Sequence, residues 1–156
     1  MRALIVPRPG AEPGEHWYPF VVERIEAGAV PGVTAAEVRA PGAEDAEAAG
    51  SLVLVGHEEG IEGIARFLSS LPAGRAAAGV LLVAPATEEP DWHAAGRLRV
   101  LLSDDPGYEE AEHSWTERHG AEVAVRPGGK RFYGAHEVAV LINLAALAME
   151  VAEARP

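Results

Sequence analysis

The sequence contains no cysteine, a single lysine and only 6% aromatic residues. Without cysteine, neither disulfide bonds nor thiolate metal sites can form, and the redox compartment is left open. No apolar run approaches the ~18 residues that a membrane-spanning helix needs. The first apolar run, residues 3–6, is too short for a signal peptide, so we expect a cytoplasmic protein that does not bind membranes.

Positive charge is also scarce. Thirteen basic residues oppose 24 acidic ones, and the formal net charge is −11. This balance argues against nucleic acid and anionic membrane surfaces as partners. The chain is rich in hydrophobic residues, which make up 48% of its 156 positions and suffice for a stable core without disulfide bonds. We therefore expect one domain over residues 1–156.

Apolar runs and helical patterns alternate along the chain. The predicted strands cover residues 3–6, 33–40, 51–55, 79–83, 98–102 and 121–125. The predicted helices start near His16, near residues 61 and 109, and after a loop over residues 126–134, and residues 41–50 form a short acidic connection. This alternation predicts a parallel sheet with helices on both faces, and right-handed crossovers give the strand order 2-1-3-4-5-6. Ligands bind such sheets beyond the carboxyl ends of the strands, here between strands one and three.

The segment after the third predicted strand, Gly56-His57-Glu58-Glu59-Gly60, gives the strongest functional signal. Its glycines lie two residues either side of Glu58, where larger side chains would collide with neighbouring backbone. This is the form of the Gly-x-Ser-x-Gly nucleophile elbow, which lifts one side chain to the top of a sheet in a strained conformation. The lifted residue here is glutamate instead of serine.

The chain resembles the small α/β-hydrolases of the retinoblastoma-binding-protein-nine and YdeN-like serine hydrolase group over nearly its whole length. Besides the elbow, the motifs that match are Leu4-Ile5-Val6-Pro7, Glu15-His16-Trp17, Leu81-Leu82-Val83-Ala84-Pro85-Ala86, Ser103-Asp104-Asp105-Pro106 and Gly128-Gly129. The resemblance implies an α/β-hydrolase-like three-layer fold without a lid, and a triad acid at Asp105. It also implies a substrate and oxyanion region that comprises Pro9, Gly10, His16, Trp17, His57, Glu59 and Tyr133.

Two departures from the family pattern change the expected chemistry. Glu58 occupies the serine position, and Lys130, or less well Arg131, occupies the histidine position. A carboxylate has no proton for a base to remove, so it cannot be activated as serine is. Lysine with its ordinary pKa is protonated at neutral pH and cannot serve as that base. We therefore predict that the chain is not a Ser-His-Asp hydrolase.

Three functions stay open for Glu58. The first is a non-hydrolytic small-molecule enzyme of the isomerase, cyclase or lyase type, with Glu58 as general acid or base and Lys130 as its charge partner. The second is a catalytically inactive pseudo-hydrolase that binds a ligand or a protein. The third, less favoured, is a hydrolase with a carboxylate nucleophile, for which no histidine is obvious to activate the releasing water.

The remaining expectations concern ligands and partners. We predict neither a cofactor nor a metal site. The expected partners are a small-molecule ligand and, as an option, a second copy of the chain in a homodimer. Arg8 lies in the loop after the first strand, where surface solvation is favoured over contact with an anionic substrate group.

Overall fold

The computed structural model describes residues 1–86, 91–128, 130–133 and 136–154, and of Lys130 only the backbone. Within them, six parallel strands form one sheet in the order β2-β1-β3-β4-β5-β6, which confirms the predicted order. The strands are β1 (Arg2–Val6), β2 (Ala35–Val38), β3 (Leu52–His57), β4 (Gly79–Val83), β5 (Arg97–Ser103) and β6 (Glu122–Arg126). The α-helices are α1 (Tyr18–Glu26), α2 (Ile61–Ser70), α3 (Tyr108–His119) and α4 (Glu137–Ala154). Short 3₁₀ segments cover Ala43–Ser51, Glu58–Gly60, His93–Ala95 and Lys130–Phe132.

Helices cover both faces of the sheet, and the continuous apolar runs of the central strands follow from this. Along β3, Val53 and Val55 pack into the core beneath α1 and α4. The alternating residues Leu52 and Leu54 pack into the second core, with α2 and α3. Successive side chains of a strand point to opposite faces, so a strand buried on both faces has to be apolar throughout.

Two predicted boundaries are wrong in an informative way. The second strand was expected over residues 33–40 but is assigned only over Ala35–Val38, although the Thr34 amide still donates to the Met1 carbonyl and the Arg39 amide to the Ile5 carbonyl. The first helix was expected to begin near His16 and begins at Tyr18. His16 has a φ of 53°, which a helix cannot include, and Pro19 in the first turn favours a start there.

The segment between β2 and β3 holds a buried carboxylate, Asp45, that is only 1% exposed. Arg39 donates two hydrogen bonds to it, from Nη1 to Oδ2 at 2.8 Å and from Nη2 to Oδ1 at 3.0 Å. Arg2 Nη2 donates to Oδ1 at 3.1 Å, and the Gly42 amide donates to Oδ2 at 2.7 Å. The Arg39 hydrogen bonds lower the pKa of Asp45 to about 2. This ion cluster ties β1 and the end of β2 to the segment that enters β3.

Candidate functional site

Glu58 lies where β3 ends and the helical segment that leads into α2 begins. Its φ is 50°, in the left-handed region, and the residue is 4% exposed. A Cβ atom on Gly60 would lie 2.6 Å from the carbonyl oxygens of Val6 and Pro7, and one on Gly56 would lie 2.8 Å from a side-chain carbon of α2. The backbone at the end of β1 therefore requires glycine at position 60, whereas at position 56 an added Cβ would have to displace a side chain of α2.

Three described side chains surround the Glu58 carboxylate. Tyr133 Oη donates a hydrogen bond to Oε2 at 2.5 Å, and this bond raises the pKa of Tyr133. Arg8 Nε lies 3.9 Å from Oε2, and Arg131 Nη1 lies 3.8 Å from Oε1. Both guanidinium contacts exceed hydrogen-bond distance. They stabilise the negative charge of Glu58 without occupying its lone pairs.

The position of Arg8 corrects the expectation that solvent surrounds it. Its guanidinium lies 5.1 Å from the centroid of the Tyr133 ring, in a cation–π arrangement. Its Nε is buried and has no hydrogen-bond partner among the described residues. The loop after β1 folds back because the Arg8 amide donates to Tyr18 Oη at 3.0 Å. No motif signals this contact, which depends on the path of an irregular loop.

A chain of hydrogen bonds fixes His57 in one neutral form. Tyr18 Oη accepts from the Arg8 amide, so its own proton goes to His57 Nδ1, at 2.7 Å. His57 Nε2 then carries the remaining proton and donates it to the carbonyl oxygen of Arg131, also at 2.7 Å. Burial lowers the pKa of His57 to about 4 and raises that of Tyr18 to about 12. His57 thus holds the backbone of Arg131 in place. Because both of its ring nitrogens are hydrogen-bonded, it has no free nitrogen to act as a base.

The other residues expected around the oxyanion region separate into three groups. The His16 ring stacks on Tyr133 with centroids 5.2 Å apart, so these two lie beside Glu58. Trp17 is fully buried in the core, with its ring 5.4 Å from that of His57, and it supports the site from beneath instead of facing a ligand. Pro9 and Gly10 are exposed and do not line the cavity beside Glu58.

A cavity of about 390 Å³ opens beside Glu58 at the carboxyl ends of the strands. Its described lining comprises Glu58, Glu59, Ala84, Pro85, Ala86, Leu102, Ser103, Asp105, Pro106, Gly107, Tyr108, Ala111 and Arg131. The Asp105 carboxylate accepts a short hydrogen bond from Ser103 Oγ, and Arg131, whose side chain is 71% exposed, forms part of the rim. The structure thus brings Glu58, Glu59 and Asp105 to one cavity. The side chain of Lys130 lies outside the described residues, so its pairing with Glu58 stays a prediction.

Backbone strain is concentrated around this cavity. In the described part of the chain, the non-glycine residues with positive φ are His16, Glu58, Ala84, Arg131 and Phe132. All of them lie in the segments that follow β1, β3, β4 and β6, at the carboxyl edge of the sheet. Such conformations cost about 1–3 kcal/mol each and cluster at functional sites. The sequence pattern indicated only the one at Glu58.

Metal binding has no support in the described ranges, where no group of three or more histidine, aspartate or glutamate side chains could hold an ion.

Two comparisons of the sequence with known proteins give limited information. Residues 84–139, well under half of the chain, match the OAA-family lectin sugar binding domain. In this structure that range contains β5, α3 and β6. No curated protein matches the chain.

Two solved structures are similar over nearly the whole chain. The ydeN gene product of B. subtilis is 19% identical, with a TM-score of 0.67 over 93% of this chain and 98% of that one. A proposed hydrolase of the α/β superfamily from Xanthomonas campestris pv. campestris is 16% identical, with a TM-score of 0.67 over 96% of this chain and 97% of that one. Likeness at these identities carries the fold and not the activity. The chain has an α/β-hydrolase-like fold.

Proposed function

We propose that the protein is a small-molecule enzyme with a non-hydrolytic reaction, in which Glu58 is the general base. The state of the Glu58 carboxylate carries this proposal. It is buried in a strained turn, lines a cavity and receives one hydrogen bond from the described side chains. Because the carboxylate lines the cavity, a bound substrate can donate a further hydrogen bond to it.

The geometry supports proton abstraction from a carbon atom next to a carbonyl group, the step shared by many isomerases, cyclases and lyases. Tyr133 holds Oε2, which leaves Oε1 to take the proton. The proton then returns to a neighbouring carbon or goes to a leaving group. Negative charge that develops on the substrate oxygen is stabilised by the backbone amide of Glu59 and by Arg131 at the rim. Neutral His57 positions Arg131 through its carbonyl oxygen.

The proposal includes a degenerate triad. The resemblance to serine hydrolases puts Glu58 at the position of the nucleophile, Asp105 at that of the acid and Lys130 at that of the histidine. Serine-type hydrolysis needs a hydroxyl that a base can deprotonate, and Glu58 offers none. We expect that activated esters are hydrolysed at background rates and that fluorophosphonate probes leave the protein unlabelled. Stoichiometric labelling of any serine, with Ser103 as the serine of the cavity, would contradict this part of the proposal.

Deuterium exchange tests the proposed proton abstraction directly. Small ketones, aldehydes and 2-oxo acids are incubated with the protein in D₂O, and deuterium incorporation at carbon is followed by NMR. Glu58→Gln keeps the side-chain volume and should reduce the exchange rate about 10²–10⁴-fold. Glu47→Gln, at an exposed position, is the matched control and should exchange as wild type does. Equal exchange by wild type and Glu58→Gln, or no exchange with any compound of the panel, would reject the proposal.

Sugar binding without catalysis is the second candidate, and the lectin match favours it. The matched residues 84–139 include every described lining residue of the cavity except Glu58 and Glu59. Carboxylates accept and guanidinium groups donate hydrogen bonds, whereas hydroxyl groups of a sugar do both. Saturable NMR shifts on titration with mono- and disaccharides, lost in Asp105→Asn and accompanied by no turnover, would favour this function over the enzyme.

Covalent catalysis by Glu58 is the least supported function. An ester intermediate on Glu58 must be released by an activated water molecule. His57, the adjacent histidine, has both ring nitrogens engaged by Tyr18 and the Arg131 carbonyl. It therefore cannot deprotonate that water without breaking the network that holds the site.

A further inference from the structure

A groove of about 310 Å³ lies between α1 and β2, and none of its lining residues belongs to the cavity at the carboxyl ends of the strands. Pro19 and Val22 line it from α1, and Ala36 and Val38 line it from β2. Pro13, in the loop before α1, completes the apolar part of the lining. The volume is near the lower limit of the roughly 300–1,000 Å³ of ligand sites, so the groove can hold a few apolar side chains.

The strand beside this groove has an unpaired outer side. β2 is at one end of the sheet order, and its inner side pairs with β1 through Ala35–Val38. In the described part of the chain, no strand pairs with its outer side. Alternate backbone amide and carbonyl groups of such an edge strand point outward and can form a ladder with an added strand. The combination of an edge strand and an adjacent groove for side chains favours an extended peptide over a compact ligand.

Glu23 and Glu26 give the groove a negative charge. Both lie on α1 and line the groove. Neither carboxylate forms an ion pair with another described residue. Arg24, the basic residue between them in sequence, lies over the Phe20 ring, with its guanidinium 5.0 Å from the ring centroid. Two carboxylates without a counter-ion attract a cationic occupant, and the net charge of −11 acts in the same direction.

Side chains of β2 alternate between the two faces of the sheet. Ala36 and Val38 pack on the α1 face, so Glu37 lies on the other face, where Arg39 Nε donates to its Oε2 at 2.6 Å. A strand added to β2 alternates in the same way. Every second side chain enters the groove, where the apolar lining favours small aliphatic residues. The side chains between them stay in water, which suits lysine or arginine near the acidic surface of α1.

We propose that the groove binds an extended segment of a partner protein in which aliphatic and basic residues alternate. The segment pairs with the outer side of β2, whose four residues span about 13 Å, so four or five residues of the partner take part. This contact is far below the roughly 800 Å² per partner of a stable interface, and we expect a dissociation constant between about 10 µM and 1 mM. Another copy of the chain and anionic lipid would both bring negative charge to Glu23 and Glu26 and are disfavoured.

NMR titration of the ¹⁵N-labelled protein with synthetic peptides tests the proposal. The probe is a five-residue peptide of alternating lysine and valine, blocked at both ends, and it should cause saturable amide shifts confined to α1 and β2. A peptide of the same length that alternates glutamate and valine should bind at least about tenfold more weakly, because it brings like charge to the groove. The lysine–valine peptide methylated at every backbone nitrogen keeps its side chains but cannot donate to β2, so it should also bind at least about tenfold more weakly.

A pair of double variants tests the contribution of the two carboxylates. Glu23→Gln/Glu26→Gln should weaken binding of the lysine–valine peptide about three- to tenfold, since each exposed charge contributes modestly. Glu110→Gln/Glu117→Gln changes two exposed positions of α3 and is the matched control, because it alters the net charge by the same amount. The control should bind the peptide as wild type does.

The absence of saturable shifts, shifts outside α1 and β2, or equal binding of the glutamate peptide would overturn the proposal. So would equal binding of the methylated peptide, because the β2 backbone would then take no part. An equal loss in both double variants would also overturn it, because the attraction would depend on net charge alone. Shifts of α1 and β2 that appear when the protein is concentrated without peptide would assign the groove to a second copy of the chain instead.

Discussion

Asp45 and Glu58 are two buried carboxylates that differ in how many hydrogen bonds they accept from the described residues. Asp45 accepts four hydrogen bonds within 3.1 Å, three from arginine nitrogens and one from the Gly42 amide. Glu58, at similar burial, accepts one from the described residues, and its nearest guanidinium nitrogens lie 3.8 and 3.9 Å away. Arginines adjoin both carboxylates, so the presence of positive charge does not separate them. The hydrogen-bond geometry does.

This difference separates a structural ion cluster from a candidate reactive group. A buried carboxylate whose lone pairs all accept hydrogen bonds from the protein stabilises the fold. It has no lone pair left to accept a hydrogen bond from a ligand. Leaving them open sacrifices stability and keeps an acceptor available in the cavity. The backbone agrees with this division, since Glu58 lies in the left-handed region and Asp45 does not. Each of the following changes should affect one carboxylate and spare the other.

Asp45→Asn should have the largest effect on folding. The change leaves Arg39 and Arg2 beside a neutral amide, and breaking a buried ion pair costs roughly 3–5 kcal/mol. Urea denaturation measures the free energy of unfolding. Glu44→Gln is the control, because the Glu44 side chain is 74% exposed and only 3.9 Å from Arg39 at its closest. A loss under about 1 kcal/mol for Asp45→Asn would show that the cluster is not structural.

Acid should loosen the Glu58 region before the Asp45 cluster. Burial lowers the pKa of His57 from 6.5 to about 4, so the neutral form is favoured in the folded state. That stability is fully present above pH 6.5 and is lost as the pH falls towards 4, on the order of 3 kcal/mol in total. The pKa of Asp45 falls from 3.8 to about 2, so its contribution persists above pH 3.8 and is lost only below it.

The measurement for this prediction is urea denaturation of wild type and His57→Gln between pH 7 and pH 4.5. Glutamine cannot gain a proton in this range, so the variant lacks the His57 contribution to the pH dependence. The wild type should lose stability more steeply than the variant as the pH falls. Parallel curves would contradict the buried neutral state of His57.

Replacing the arginine beside each carboxylate with lysine should change stability by different amounts at the two sites. Arg39→Lys removes the bidentate hydrogen bonding to Asp45, which an ammonium group cannot reproduce. The free energy of unfolding should fall by about 2 kcal/mol. Arg131→Lys keeps a cation near Glu58 that makes no direct hydrogen bond to it, so stability should change by less than about 0.5 kcal/mol. Similar losses in both variants, measured by denaturation, would remove the proposed distinction.

Tyr133→Phe should have a small effect on folding. It removes the hydrogen bond to Glu58 Oε2 and should cost about 1 kcal/mol, because Tyr133 is partly exposed and water can replace its hydroxyl group. In the deuterium-exchange assay the same variant should lower the rate, since Oε2 is no longer held. A variant with full exchange activity would show that Tyr133 does not orient the carboxylate.

The sheet order and the position of Glu58 could be predicted from sequence because both depend on local signals. Buried strands appear as continuous apolar runs, and the two glycines that flank Glu58 form a local sequence pattern, although the contact that requires Gly60 comes from the distant carbonyl oxygens of Val6 and Pro7. The contacts of Arg8, Tyr18 and Asp45 could not be predicted in this way. They depend on how irregular loops fold back over the sheet, and hydrogen bonds between residues far apart in sequence leave no periodic pattern.

Unfolding free energies of Glu58→Gln and Asp45→Asn, measured side by side, test the central claim most directly. Glutamine at position 58 can still accept the Tyr133 hydrogen bond and removes a buried charge that the described contacts do not saturate. We predict that Glu58→Gln stays within about 1 kcal/mol of wild type, or exceeds it, while Asp45→Asn loses roughly 3–5 kcal/mol. A comparable loss in Glu58→Gln would show that Glu58 is a structural ion-pair partner like Asp45, with Lys130 as the expected counter-ion, and would contradict its role as a free acceptor in the cavity.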